Sequence, residues 1–183
     1  DDKPLLDLLY EANVRTIITG IESANEASLL EAKKKHNLRR SMEDRIEDLI
    51  RAGIEVYAYL VVGFDNDPED VFEINLDFVQ RSKITYAETS ILVAMDNTAL
   101  GERVEREGRL LFNTATDANR VMENYAVGMT NFVTKLEPRR LQTGYARLLN
   151  GLVEPEAWYE RTRQMVELLP ERDREHHMIS LRF

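Results

Sequence analysis

The sequence predicts an α/β protein with a parallel sheet, followed by a small α-helical extension. Three runs rich in apolar and β-branched residues, at 15–21, 54–62 and 87–95, alternate with amphipathic helical segments. This alternation is typical of right-handed βαβ units that share one parallel sheet. After about Leu111 the strand signals stop and helical periodicity takes their place.

Local signals place the helices around these strands. Three local signals mark helix boundaries. They are a proline at the first helical position, an Asn or Ser before the first turn, and a glycine after the last turn. The predicted helices cover Pro4 to before Val14, Glu26 to Lys35, Ser41 to Ala52, Asp67 to Phe78 with Asp67 as the N-cap, Thr98 to Gly108, Glu137 to Leu152, and a segment from Pro155.

Composition excludes several function classes. The chain has 24 Lys and Arg against 33 Asp and Glu, and its net charge of -9 disfavours binding to nucleic acid or anionic lipid. No apolar run approaches the roughly 18 residues of a membrane span, and the N-terminal residues lack the pattern of a signal peptide. We therefore expect a cytoplasmic protein with neither a nucleic-acid nor a membrane partner.

The chain contains no cysteine. It therefore cannot form disulfides, a thiolate nucleophile or a cysteine-held zinc or iron–sulfur site from its own residues. Its three histidines, His36, His176 and His177, do not have the spacing of a metal site. Because the sequence begins at Asp1 in what looks like a helix–strand repeat, we expect it to be a piece of a longer protein.

Glu22 and Ser23 directly follow the first predicted strand, within "RTIITGIESANEASL". Ligands of α/β proteins bind at the carboxyl ends of strands. A carboxylate there can accept hydrogen bonds from two adjacent hydroxyls, but it can equally complement the N-terminus of the following helix. The residues alone leave both interpretations open.

Three strand-end motifs resemble one enzyme family. They are similar to the second half of the partial (β/α)6 TIM-like barrel of radical S-adenosylmethionine enzymes. The three motifs are "GIESANEASL", "RAGIEVYAYLVVGFDNDPEDVFE" and "TALGERVEREGRLL". "TNFVTKLEPRRLQTGYARLLN" and "EPEAWYERT" resemble the C-terminal helical domain of the branch that carries an N-terminal cobalamin-binding domain. The resemblance implies that residues 1–111 are the C-terminal half of the barrel and 112–183 an α-helical extension.

The resemblance also implies cofactors. Such enzymes hold a 4Fe-4S cluster on a Cys-x3-Cys-x2-Cys loop, and the cluster reductively cleaves S-adenosylmethionine to a 5′-deoxyadenosyl radical. That loop, the first half of the barrel and any cobalamin domain would lie before Asp1. We therefore expect a partial S-adenosylmethionine site, and no radical catalysis by this chain alone.

By the same resemblance, seven residues would contact S-adenosylmethionine. Glu22 and Ser23 would bind the ribose, Lys34 the carboxylate, and Val61 and the Val93 backbone the adenine, while Tyr59 faces the barrel interior and Gly63 allows close backbone approach. Glu88 would share the polar interior with Tyr59. Lys34 lies in "KKKHNLRR", which could also be a phosphate-binding patch or the solvated end of a helix.

Two loops need separate interpretation. Asp65, Asn66 and Asp67 suggest calcium, but the following proline favours a helix start, with Asp67 as a cap. The family usually has Pro-Gly-Thr-Pro after its sixth strand, whereas this chain has Asp-Asn-Thr-Ala at 96–99. Asn97 can adopt the left-handed conformation of a glycine, but the rigidity of both prolines is lost.

Other functions remain open. A non-catalytic half-barrel could serve as a binding or scaffold module and form a homodimer, because an open parallel sheet exposes an edge and an apolar face. A small (β/α) hydrolase ranks last, since no nucleophile or metal set is present. The small-molecule substrate cannot be named from the sequence.

Overall fold

Three parallel strands form one open sheet in the order β1, β2, β3. They are β1 (Thr16–Glu22), β2 (Glu55–Val62) and β3 (Tyr86–Ile91). The computed structural model describes residues 3–33, 41–120, 123 and 128–174. The predicted α/β class and the three parallel strands are confirmed.

Helices precede the first strand, connect the strands and follow the last one. They are α1 (Lys3–Glu11), α2 (Glu26–Glu31), α3 (Met42–Arg51), α4 (Val71–Arg81), α5 (Ala99–Arg106), α6 (Pro138–Val153) and α7 (Pro155–Leu168). The side chains of Asn25, Ser41 and Glu137 accept hydrogen bonds from the first turns of α2, α3 and α6. The predicted caps Asn25 and Ser41 are therefore confirmed, and so is the predicted start of α6 at Glu137 and Pro138.

Helix α2 is shorter than predicted. The apolar pattern predicted a helix to Lys35, whereas α2 ends at Glu31 with Ala32 as its C-cap. Lys33 has a φ of 58°, in the left-handed region, which stops helical hydrogen bonding. Residues 34–40 lie outside the described part of the chain.

The two faces of the sheet differ in burial. In β2 the even-numbered residues from 56 to 62 are at most 4% exposed and pack against the helices. On the other face Ile18 is 71% exposed, Tyr86 50% and Tyr59 38%. We call this second face the open face; by strand register and alternation its residues are Thr16, Ile18, Gly20, Glu55, Tyr57, Tyr59, Val61, Tyr86, Glu88 and Ser90.

The extension shares its core with the sheet. Leu141 and Leu148 of α6 and Met165 of α7 belong to the same buried cluster as Val56 to Val62 of β2. Arg161 of α7 is 2% exposed, and its guanidinium donates hydrogen bonds to the carbonyls of Ile84 and Leu152. Burial lowers the pKa of Arg161, which the nearby Glu154 charge opposes. These contacts fix both C-terminal helices against the sheet.

Strand β3 ends at Ile91, so the prediction that it continues to Met95 is wrong. The last ladder bond runs from the Leu92 N–H to the Val62 carbonyl, at 2.8 Å, because β2 turns away after Val62. Beyond this bond, the Asn131 side chain forms the backbone hydrogen bonds that a continued β2 would have formed. Its Oδ1 accepts from the Ala94 N–H at 2.9 Å and its Nδ2 donates to the Ala94 carbonyl at 2.8 Å.

A short antiparallel contact falls where only helical signals were predicted. Leu110 and Phe132 form an isolated β-bridge, with the Leu111 N–H donating to the Asn131 carbonyl at 2.8 Å. Residues 128–136 lie after Leu111, where the sequence predicted helical periodicity, and they are irregular. Within the described ranges, no helix has the length and apolar character needed to span a bilayer.

We predict that Gly144→Ala lowers the free energy of unfolding by about 1–3 kcal/mol through overpacking. A methyl group at Gly144 of α6 would lie 2.2 Å from ring atoms of Phe72, which is 2% exposed. Gly151→Ala in the same helix is the matched control, because a methyl group there meets only the end of the flexible Leu76 side chain, at 2.6 Å. Chemical denaturation measures both, and equal stabilities would contradict the prediction.

Candidate functional site

The carboxyl ends of the three strands meet at one edge of the sheet, because all three are parallel. Glu22 is the last residue of β1, Gly63 follows β2 and Val93 lies two residues after β3. We call this region the carboxyl edge. Of the predicted site residues, these three come together at that edge by topology.

Glu22 has an unusual backbone conformation. Its φ is 69°, in the left-handed region that residues other than glycine rarely adopt. The pairing of β1 with β2 shifts register between Gly20 and Glu22, and the Ser23 N–H donates to the Ile21 carbonyl at 3.0 Å. This tight turn directs the chain away from the sheet directly after Glu22.

Ser23 is completely buried, with 0% of its surface exposed. Its hydroxyl accepts a hydrogen bond from the Asn25 N–H at 3.1 Å, and the Asn25 side chain in turn caps α2 through the Ser28 N–H at 3.0 Å. Here the Ser23 hydroxyl stabilises the turn between β1 and α2. Its predicted contact with a ribose stays a prediction.

Gly63 follows β2 with a φ of 106°, a conformation that favours glycine. The Asp67 carboxylate, in the turn that follows, accepts hydrogen bonds from the N–H groups of Gly63 at 2.6 Å and Phe64 at 3.0 Å. The prediction that Asp67 caps the next helix is wrong, since α4 begins at Val71 with Asp70 as its N-cap. Asp67 instead closes the turn after β2.

The same carboxylate joins two turns of the carboxyl edge. Its other oxygen accepts a hydrogen bond from the Ser28 hydroxyl of α2 at 2.5 Å. Asp67 is 9% exposed, and this burial raises the pKa of its carboxyl, although the bonds from Ser28, Gly63 and Phe64 oppose the rise. Asp67 therefore connects the β1–α2 turn to the β2–α4 turn through buried hydrogen bonds.

Asp65 forms an ion-pair cluster that the sequence did not reveal. Its side chain is 2% exposed and lies between two arginines. Arg109 pairs with both carboxylate oxygens, at 2.6 and 2.8 Å, and Arg103 lies 2.6 Å from one of them. The hydrogen bonds from Arg109 lower the pKa of Asp65, burial opposes this, and the charges of Arg109 and Arg103 add to the lowering.

The cluster reaches a third segment through Glu31 of α2. The Arg103 guanidinium lies 2.6 Å from one Glu31 oxygen, while the other oxygen accepts from the backbone and side-chain amides of Asn66, both at 3.0 Å. Because guanidinium groups occupy the Asp65 oxygens, this acidic run does not offer the oxygen ligands of a calcium site. Among the described residues, no group of acidic or histidine side chains could hold a metal ion.

On the open face, Tyr59 and Glu88 are directly paired in the register of β2 and β3, with Val61 two residues further along β2. The hydroxyls of Tyr57 and Tyr59 hydrogen-bond to the Glu88 carboxylate. The bond from Tyr57, then that from Tyr59, lowers the pKa of Glu88, and the same contact raises the pKa of Tyr57. The Tyr57 and Tyr86 rings stack with centroids 6.1 Å apart.

The segment after β3 is held by the extension. The Thr130 hydroxyl donates to the Leu92 carbonyl at 2.5 Å, and the Asn131 side chain binds Ala94. Between them, the backbone of Val93 makes no hydrogen bond with any described residue. Asn97 has a φ of 58°, so the predicted left-handed turn at this position is confirmed. Lys34, the remaining predicted contact, lies outside the described residues.

Comparison with known proteins finds that the chain is similar to parts of three proteins named as methyltransferases or methylases. Residues 98–182 match the profile of a family described as a domain of unknown function, DUF4070. The chain is 29% identical, over 88% of its length, to a protein named uncharacterized methyltransferase from Synechocystis sp.. It is 30% identical over 63% of its length to the hopanoid C-2 methylase of Rhodopseudomonas palustris, and 28% identical over 47% to the bacteriochlorophyllide d C-12(1)-methyltransferase of Chlorobaculum tepidum.

These matches confirm the resemblance seen in the sequence, including the C-terminal domain of unknown function. The chain covers 29%, 22% and 19% of the lengths of these three relatives. It is therefore similar to less than a third of each of them.

Asp65 and Asp67 should give opposite pH dependences of stability. The pKa of Asp65 is lowered, so its contribution is present above the unfolded pKa of about 3.9 and is lost as pH falls through the folded value. The pKa of Asp67 is raised, so the Asp67 carboxyl holds its proton more tightly in the folded state than in the unfolded state. The free energy of unfolding therefore falls as pH rises from the unfolded pKa of about 3.9 through the folded pKa.

We therefore predict opposite trends for two substitutions in one loop. The destabilisation by Asp65→Asn should be largest at neutral pH and shrink in acid, whereas Asp67→Asn should gain stability relative to wild type as pH rises. Asparagine at 67 can still accept from the turn and donate to the Ser28 hydroxyl. Urea denaturation at a series of pH values measures both, and parallel trends would contradict the assignment.

Proposed function

We propose that this chain is the C-terminal half of the barrel, with the helical extension, of a radical S-adenosylmethionine methyltransferase. The reaction class follows from the relatives, all of which are methyltransferases or methylases by name. The observation on which the proposal depends is the meeting of Glu22, Gly63 and Val93 at the carboxyl edge of a parallel sheet. Ligands of α/β folds bind at such edges.

The open face supports a partial barrel. In a closed or nearly closed barrel, one sheet face packs against outer helices and the other lines the interior. In the part of the chain that the structure describes, the helices pack on the face of the even-numbered β2 residues from 56 to 62, while Ile18 and Tyr86 on the other face are at least half exposed. In the intact protein, the missing N-terminal half of the barrel would cover the open face, with Tyr59, Val61 and Glu88 inside.

The carboxyl edge fits one side of a nucleoside site. Glu22 could accept hydrogen bonds from both ribose hydroxyls, because a carboxylate has two oxygens and no donor to satisfy. The Val93 backbone, which bonds to none of the described residues, could bind the adenine edge, and the glycine at 63 lets the main chain approach the ligand. We assign Ser23 the role of stabilising the turn that follows Glu22. We assign Lys34 the role of binding the carboxylate of S-adenosylmethionine.

Other cofactors belong to the proposed intact protein. A 4Fe-4S cluster would supply the electron that cleaves S-adenosylmethionine, and cobalamin is the further cofactor of the branch that this chain resembles. The chain has no cysteine with which to hold the cluster. We assign neither cofactor a ligand among its residues, and we propose no radical reaction by the chain in isolation.

Glu22→Gln tests the ribose contact. In the full-length protein we predict roughly 10- to 100-fold weaker binding of S-adenosylmethionine, because a hydrogen bond to a charged group is lost. Glu26→Gln is the matched control, since Glu26 is an exposed carboxylate in the first turn of α2 and would act only on the helix dipole. Equilibrium dialysis with labelled S-adenosylmethionine measures both.

The control separates the two interpretations of Glu22. If both variants weaken binding equally, or if neither does, Glu22 is not a ribose ligand. If the wild-type full-length protein binds no S-adenosylmethionine, the proposed function itself is wrong.

A self-associating scaffold is the second candidate. The exposure of Ile18, Tyr59 and Tyr86 on one sheet face favours it, because contiguous apolar surface commonly forms protein interfaces. In this alternative, the open face of one copy covers that of another and no catalysis is involved.

Ile18→Asp tests self-association through the open face. If the isolated chain dimerises there, the substitution should abolish the dimer, because a charge would be buried in the interface. Val153→Asp on α6 is the matched control, since Val153 has the same exposure of 71% but lies on the helical side. Analytical ultracentrifugation measures both, and a dimer that survives Ile18→Asp would exclude this interface.

A further inference from the structure

Asn75 is a buried polar residue of α4 that contacts the carboxyl edge. It is 0% exposed, and its Oδ1 accepts a hydrogen bond from the Ala24 N–H at 2.8 Å. Ala24 lies in the turn between β1 and α2, two residues after Glu22. A side chain of one helix thus holds the turn that presents Glu22.

Stability does not explain an asparagine at this position. Among the described residues, no acceptor lies within hydrogen-bond distance of the Asn75 Nδ2, although this atom is buried. A buried donor without an acceptor costs free energy, and an apolar side chain of similar size would avoid that cost. Ala24 is only partly buried, so water could satisfy its N–H in place of Asn75. We therefore expect the contact to act mainly on the geometry of the turn.

The turn that Asn75 holds has a conformation that needs support. Glu22 is left-handed at φ 69°, which is disfavoured for a residue with a side chain, and such conformations persist where surrounding contacts enforce them. The contacts here are the bond from the Ser23 N–H to the Ile21 carbonyl, the bond from the Ala24 N–H to Asn75 Oδ1, and the bond from the Asn25 N–H to the Ser23 hydroxyl. Without the second bond, the turn can relax and move the Glu22 carboxylate.

We infer that Asn75 is a positioning residue that fixes the Glu22 carboxylate for binding S-adenosylmethionine. The inference rests on the proposed function, because it takes Glu22 as the ribose ligand. Asn75 itself touches no ligand in this arrangement. It acts through Ala24 on the backbone angle that directs the Glu22 side chain.

Two substitutions in the full-length protein distinguish an effect on the position of the Glu22 carboxylate from an effect on the stability of the fold. Asn75→Leu removes both the acceptor and the unsatisfied donor, so we expect unchanged or higher thermal stability but roughly tenfold weaker S-adenosylmethionine binding. Asn75→Asp keeps the acceptor but buries an ionisable group, so we expect lower stability with near wild-type binding. Val79→Ala, one turn further along α4, is a destabilised control that should bind as wild type does.

Thermal denaturation, equilibrium dialysis and hydrogen exchange of residues 22–25 give independent measurements. Exchange in this segment should be faster in Asn75→Leu and protected in Asn75→Asp. If affinity follows stability across the three variants, or if Asn75→Leu binds as wild type does, the positioning role is wrong. If wild type binds no S-adenosylmethionine, the proposed function fails instead, which is a distinguishable result.

Discussion

The one-sided burial of β2 is the constraint on which the rest of the structure depends. Its even-numbered residues from 56 to 62 are almost fully buried beneath α3, α4, α6 and α7, while its odd-numbered residues lie on the open face. Side chains alternate along a strand, and neighbouring strands pair in register. The buried face of β2 therefore determines which residues of β1 and β3 are buried as well. It also directs both C-terminal helices to the same side as the βα connections.

Polar contacts at the carboxyl edge then fix the loops relative to one another. Asp65 and Asp67 are only two residues apart, yet one is held ionised by arginines and the other is pushed towards protonation by burial. Asp65 connects the β2–α4 turn to α5 and, through Arg109, to the extension, whereas Asp67 connects it to α2. The geometry of the edge is therefore set by side chains from every segment that borders it.

Much of this fold could be predicted because its signals are local. Strand alternation, the caps Asn25 and Ser41, and the left-handed turn at Asn97 depend on residues close in sequence. The early end of α2 has a local cause, the left-handed backbone of Lys33, but two other errors have non-local causes. The end of β3 depends on where its partner β2 turns away, and the role of Asp67 depends on Ser28, 39 residues earlier. The arginine cluster around Asp65 and the contact of Asn75 with Ala24 have no signal in a short window of sequence.

The extension has a consequence for how the sheet can grow. The Thr89 carbonyl of β3 accepts from the Tyr145 hydroxyl at 3.0 Å, and side chains from 130 and 131 bind the Leu92 and Ala94 backbone. Unpaired backbone groups on an edge strand recruit further strands, and covering them is how proteins prevent aggregation at that edge. Of these groups only the Thr89 carbonyl belongs to β3 itself, and its bond to Tyr145 of α6 occupies one acceptor on the outer side of that strand. A strand that paired with this side of β3 would first have to displace the Tyr145 hydroxyl from the Thr89 carbonyl.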